Sequence, residues 1–231
     1  MSSIAEHLNA VLARIQKAEN RFQRLSGSVT LLAVSKTKPA TMIAAAATAG
    51  QRHFGESYLQ EALEKITALA NLPLNWHFIG PVQANKTRRI AEHFCWVHSV
   101  DRLKIANRLS EQRPDHLPPL NVCLQVNISR EANKHGLRIE ELSQVAHAVA
   151  KLPRLRLRGL MAIPAATNEF AAQRRPYGQL RELQQKLIAS GLALDTLSMG
   201  MSADLEAAIA EGSTIVRIGT AIFGSRSSIK T

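Results

Sequence analysis

Cysteine is scarce in this sequence: Cys95 and Cys123 are the only two among 231 residues. Each falls in a run that reads as an apolar strand, so neither a disulfide framework nor a thiolate metal site is indicated, and the expected compartment is the reducing cytoplasm. Missing too is any apolar run near the ~20 residues that a membrane span needs. The nearest is the Ala-rich stretch from Met42 to Gly50, so the expectation is a soluble protein with no membrane partner. The amino terminus lacks the continuous apolar core of a signal peptide. Its Ile4, Leu8, Val11, Leu12 and Ile15 recur at helical spacing instead, which predicts an amphipathic helix within residues 1–25, packed on the rest of the protein. No Gly/Ser/Pro-rich linker, repeat or low-complexity tract interrupts the chain, and with 45% hydrophobic residues it reads as one domain over residues 1–231. A monomer is the expected state.

Acidic residues are also few. Lys plus Arg at 29 against Asp plus Glu at 18 leaves a net charge of +11, which raises the question of a polyanionic partner. The basic residues are spread over separate segments, among them Lys86, Arg88 and Arg89, then Arg154, Arg156 and Arg158, then Arg174 and Arg175. That distribution favours a solvated basic surface with a phosphate pocket over a nucleic-acid face. The eight histidines show no metal-ligand spacing; His93, Cys95 and His98 span a helix end and a strand and read as structural, so no metal is expected. No Ser/His/Asp order or nucleotide loop can be assigned.

What is present is alternation. From Val29 onward short β-branched runs, centred near Val34, His53, Phe78, Val97, Leu124, Leu157, Leu197 and Val216, are separated by helical stretches. Helix starts are suggested at Thr37-Lys38-Pro39, Asn85 and Asp101, and further helices over 140–150, 170–189 and 203–210, with glycines at 50, 191 and 212 as stops. Residues 113–120 read as a loop before the fifth strand. Eight strand–helix units within ~250 residues predict an α/β fold, a parallel (β/α)8 TIM-like barrel, with a doubly wound open sheet as the alternative. The chain stops soon after the eighth strand, so the N-terminal helix is expected to take the vacant place in the outer ring.

Active sites of such barrels lie at the carboxyl ends of the strands, with phosphate held by the loops after strands seven and eight. Strand one ends in Lys36, which shares a face with Thr30, Leu32 and Val34, while Leu31, Ala33 and Ser35 share the other. If the lysine face looks inward, its amine stands at the mouth of an apolar tube, where desolvation makes it a nucleophile toward an aldehyde. Otherwise Lys36 and Lys38 are solvated loop residues. After strand seven, the segment from Ser198 to Ser202 leads into a helix and puts Ser202 at or beside its N-cap. After strand eight come Arg217, Gly219 and Thr220: a fixed charge, a glycine that allows close backbone approach and a hydroxyl. The two segments together form a candidate phosphate clamp.

Six ordered blocks carry a family resemblance: LLAVSKTKP around Lys36, HFGESYLQEALEK from His53, WHFIGPVQANK from Trp76, VNISREANKHG from Val126, RGLMAIP from Arg158, and the long run from Ser198 to Gly224. Over nearly its whole length the chain resembles the YggS/PROSC family of pyridoxal-phosphate homeostasis proteins, related to the barrel domain of alanine racemase. The resemblance implies a fold type III barrel that binds pyridoxal 5′-phosphate. It implies a Schiff base on Lys36, phosphate contacts from Ser202, Gly219 and Thr220, and Arg217 facing the pyridine nitrogen. His77, Ser57 and Met201 complete the expected cofactor pocket. One departure is visible: the family usually carries Asn where Ser57 stands, and serine has the shorter reach.

An arginine beside the pyridine nitrogen disfavours its protonation and weakens the ring as an electron sink. Alanine racemase manages with the same arginine by using a base from a separate β-domain, for which this chain is too short. The resemblance therefore implies a non-catalytic protein that stores, buffers or delivers the cofactor, with apo forms of pyridoxal-phosphate enzymes as possible recipients. The competing readings are a racemase-like enzyme drawing a base from His77, Lys134 or Tyr58, and a basic nucleic-acid-binding module.

Overall fold

The strands are β1 (Thr30–Val34), β2 (His53–Glu56), β3 (Asn75–Phe78), β4 (Trp96–Val100), β5 (Leu120–Gln125), β6 (Leu155–Met161), β7 (Thr196–Ser198) and β8 (Ile215–Ile218). In the computed structural model, which describes residues 3–129 and 135–225, they form one closed parallel barrel in sequence order. Closure rests on the β1–β8 pairing, in which Thr30 to Ala33 lie in register with Ile215 to Ile218. That pairing rules out the doubly wound open sheet.

The helices are α1 (Ile4–Arg21), α2 (Ala40–Thr48), α3 (Leu59–Ala68), α4 (Thr87–His93), α5 (Leu103–Gln112), α6 (Ile139–Ala150), α7 (Phe170–Ala189), α8 (Leu205–Ala210) and α9 (Thr220–Phe223). They bury the outward faces of the strands. Phe54 packs on Trp76 and Phe78 on Phe94, with Leu31, Ala33 and Val97 in the same apolar layer. Each large side chain so buried contributes ~1.5–3 kcal/mol.

Helix α1 starts in a capping box, with the Ser3 hydroxyl accepting from the Glu6 amide and the Glu6 carboxylate accepting from the Ser3 amide. It ends at Arg21, short of residue 25, and Leu8, Val11 and Ile15 form its buried stripe while Leu12 is exposed. The helix packs on α2, α8 and α9, which is the vacant place in the ring. Arg14 binds Glu206 of α8 through two hydrogen bonds, at 2.7 and 2.8 Å.

Three elements differ from the sequence expectation. The β-branched run after Ile215 leaves the sheet at Gly219, where α9 begins and buries Ile222 and Phe223. Helix α3, to which no start signal was assigned, opens after Tyr58 without a side-chain cap. The helix expected over 203–210 begins at Leu205, behind Asp204.

Candidate functional site

Lys36 lies two residues beyond β1, on the face that also carries Leu32 and Val34. That face looks into the barrel: Leu32 is in register with Arg217 and fully buried outside the helix-facing layer. The lysine is followed by a strained turn. Thr37 is β-branched yet adopts φ +64°, a conformation such residues rarely tolerate, and the Lys38 amide donates to the Ser35 carbonyl across it.

A buried ionic cluster holds the turn. Lys65 of α3 donates to the Ser35 carbonyl at 2.8 Å, to Glu56 Oε1 at 2.8 Å and to Glu61 Oε1 at 2.5 Å. The Ser35 hydroxyl donates to the same Glu56 oxygen at 2.7 Å, and Glu61 accepts from the Thr37 amide at 2.6 Å. Burial pushes the Glu56 carboxyl above its usual value, against the hydrogen bonds from Lys65 and Ser35. The residues on both sides of Lys36 are thus tied to α3, a support that the sequence reading missed because Lys65 looks like an ordinary surface lysine of an amphipathic helix.

Beside Lys36 stand the ends of β8, the neighbour of β1, and of β7 next to it. Gly200 has φ +96°, and a Cβ there would lie 2.5 Å from that of Ala208, so glycine is required to turn the chain toward α8. Ser202 is not the cap of that helix but lies in the turn before it. Asp204 occupies the cap position and binds the Met201 amide at 2.6 Å through Oδ1 and the Tyr177 hydroxyl at 2.8 Å through Oδ2. At Gly219 an added Cβ would approach the Val34 carbonyl to 3.1 Å, so the absence of a side chain lets β8 end close against β1.

Between these ends opens a cavity of about 330 Å³. Lys36, Ser202, Arg217, Gly219 and Thr220 all line it, as do Ser57 and Met201, with Val34, Ile79 and Ile163 supplying apolar wall. Residues from opposite ends of the chain therefore share one chamber at the carboxyl mouth of the barrel. Arg217 is its most buried charge, 5% exposed, and burial lowers its pKa from the usual arginine value.

His77 does not reach this chamber. It lies deeper, between His53 (Nδ1 to His77 Nε2, 3.0 Å) and His98 (Nε2 to His77 Nδ1, 2.8 Å), and His98 Nδ1 meets Ser198 Oγ at 2.7 Å. Burial is the main cause that takes His77 well below the ordinary histidine value and His98 down to about 3. Beneath them Trp96 stacks on His77, with centroids 5.4 Å apart and planes within 6°. Arg158 covers Trp96 at 4.8 Å and is itself anchored by Asp195 and Asn121. Each histidine sits alone in its own strand, and only barrel closure brings the three together.

Among the other candidates, Tyr58 is exposed at the start of α3 and is not among the residues lining the cavity, and Lys134 lies outside the described residues. His93 binds the Arg89 carbonyl and Cys95 the Trp76 carbonyl, away from His98 inside the barrel. No group of three metal-ligating side chains converges among the described residues.

Residues 7–227 match the family model of the alanine racemase N-terminal domain. The pyridoxal phosphate homeostasis protein of Pseudomonas aeruginosa is 65% identical over 226 residues, covering 98% of this chain and 97% of its own length. That of Escherichia coli K12 is 55% identical over 229 residues, covering 98% of each. Among solved structures, PipY of Synechococcus elongatus with PLP bound superposes with a TM-score of 0.84 at 38% identity, covering 96% of this chain and 100% of that one. With its closed barrel and this level of identity, the chain belongs to the alanine racemase N-terminal domain family and, within it, to the pyridoxal phosphate homeostasis proteins.

Proposed function

We propose that this chain binds pyridoxal 5′-phosphate in the chamber at the barrel mouth, as a Schiff base on Lys36, and serves intracellular homeostasis of that cofactor without turnover of its own. The observation that carries this reading is that Lys36, reached from β1, lines the same cavity as Ser202, Arg217, Gly219 and Thr220, reached from β7 and β8. The donor set fits such a molecule. It offers an amine for an aldehyde, two hydroxyls and a close backbone approach for a phosphate, and a fixed cation, in a volume within the ~300–1,000 Å³ of small-molecule sites. The PLP-bound PipY homologue and the names of the close relatives support the same cofactor.

Lys36 would hold the aldehyde end of the cofactor through its amine, and Ser202, Gly219 and Thr220, on the adjoining ends of β7 and β8, would hold its phosphate. Ser57 and Met201 border the chamber, and the serine hydroxyl is a short-reach donor. The positive charge of Arg217 disfavours protonation of a basic nitrogen placed beside it, and a neutral pyridine is a weak electron sink. That chemistry suits holding rather than transforming. In this reading the chain works as a cytoplasmic monomer, and apo enzymes that use the cofactor are its recipients.

The purified protein should be yellow, and borohydride reduction should fix the cofactor to the peptide carrying Lys36. Label on Lys38 or Lys86 instead would overturn the assignment. Amino-acid racemisation far above the rate of free cofactor, and lost in Lys36→Ala, would overturn the absence of turnover.

A further inference from the structure

Arg217 is buried, yet among the described residues no carboxylate lies within ion-pair distance of it. Its guanidinium donates to the Ser198 carbonyl at 2.6 Å, to Ser198 Oγ at 2.8 Å and to the Ala162 carbonyl at 2.9 Å. From Ser198 Oγ the contacts continue to His98 Nδ1, from His98 Nε2 to His77 Nδ1, and from His77 Nε2 to His53 Nδ1, at 2.7, 2.8 and 3.0 Å.

In His77 and His98 both ring nitrogens are engaged. A neutral imidazole has one donor and one acceptor nitrogen, so the chain must run in a single direction from end to end. If it ran toward the arginine, all three rings would be Nδ1–H tautomers and Ser198 Oγ would accept from both His98 and Arg217. The serine proton, on a side chain with no solvent exposure, would then lack an acceptor. If it runs away from the arginine, Ser198 donates to His98, every ring is the Nε2–H tautomer, and every fully buried donor of the series meets an acceptor, the one Nε2–H left over being that of half-buried His53 at its far end. Each dipole then turns its negative end toward the guanidinium. The two considerations, hydrogen-bond satisfaction and charge, select the same direction.

We infer that Ser198, His98, His77 and His53 form a one-way hydrogen-bond chain of neutral groups that positions Arg217 and takes the place of a carboxylate counter-ion. An acid in that place would neutralise the charge, whereas a polarised neutral chain orients the guanidinium and leaves its positive charge facing the chamber. The downward pKa shifts of all three histidines, caused chiefly by burial, agree with neutral rings. Only the last consequence, the effect of that charge on a bound pyridine ring, rests on the proposed function; the chain itself is a property of the protein alone.

The test is nitrogen NMR of the full chain labelled with 15N on histidine, at neutral pH. His53, His77 and His98 should each show one fixed Nε2–H tautomer; an Nδ1–H ring or an interconverting mixture at His77 or His98 overturns the inference. Ser198→Ala should release the His98 tautomer into a mixture, and Ser198→Thr, which keeps the hydroxyl, should hold it. Identical His98 spectra in Ser198→Ala and the parent protein overturn it as well. The wild-type spectrum decides the direction even if neither variant folds. With pyridoxal phosphate added, the visible band should move in Ser198→Ala and return in Ser198→Thr; an unmoved band overturns the positioning role. No band at all in the parent protein defeats the proposed function instead, and leaves the tautomer result standing.

Discussion

The two faces of the same eight strands are made of different material. Outward, Leu31, Ala33, Phe54, Trp76, Phe78 and Val97 meet the helices as an apolar layer. Inward, where barrels of this size are usually filled by Val, Ile and Leu, stand His53, His77, His98, Ser198 and Arg217 in one hydrogen-bonded series. Non-directional packing holds the outer layer and tolerates no gap; directional bonds hold the inner one and tolerate no missing partner. Apolar burial is concentrated in the first, and the hydrogen-bonded series that ends on Arg217 in the second.

The sharpest way to separate them is Phe54→Ala. This opens a void beside Trp76 and should cost ~3–5 kcal/mol in denaturant unfolding, while the protein that remains folded keeps its cofactor affinity. A parallel loss of affinity in the folded fraction would show that the two layers are not separable. The reverse experiment is Ser202→Ala with Thr220→Val at the mouth. Each lost hydrogen bond to a charged group is worth ~1.5–3 kcal/mol, so removing two should lower affinity for pyridoxal phosphate at least ~100-fold by titration, with unfolding little changed. Binding of pyridoxal, which has no phosphate, should scarcely respond; equal weakening of both ligands would remove the phosphate from that wall.

The smallest effect is one of pH. In the unfolded chain His98 takes a proton near pH ~6.5, whereas in the fold its value is pushed down to about 3. Above pH ~6.5 both states are neutral and nothing is lost. As pH falls toward 3 only the unfolded state gains protons, so stability declines, by ~2 kcal/mol at pH 5 for this residue, and His77 acts in the same direction. Denaturant midpoints at pH 7.5 and 5 measure it, and a level profile would mean that the interior histidines accept protons in the fold.

Much of this was legible in sequence because barrels convert order into position. Eight apolar runs of the right spacing sufficed for the strands, and the two-residue period put Lys36 on the same face as Val34. Local signals failed where a longer-range contact decided the outcome. Ser202 looks like a helix cap, but Asp204, tied to Tyr177 of α7, takes that place. The run from Ile215 to Gly224 looks like one strand, but Gly219 must close against Val34 and the remainder turns into helix. The histidine chain was invisible for a related reason. Its members stand more than twenty residues apart, and their adjacency depends on the stagger between parallel strands, which no single stretch of sequence encodes. A histidine in the middle of an apolar strand, as in WHF and WVHSV, was the available hint.

The floor of the barrel has a consequence for traffic. With Trp96 lying flat under His77 and Arg158 clamped beneath by Asp195 and Asn121, the tube is corked at its amino end. The chamber lined by Lys36 and Thr220 is therefore a blind pocket on the barrel mouth, not a passage through it.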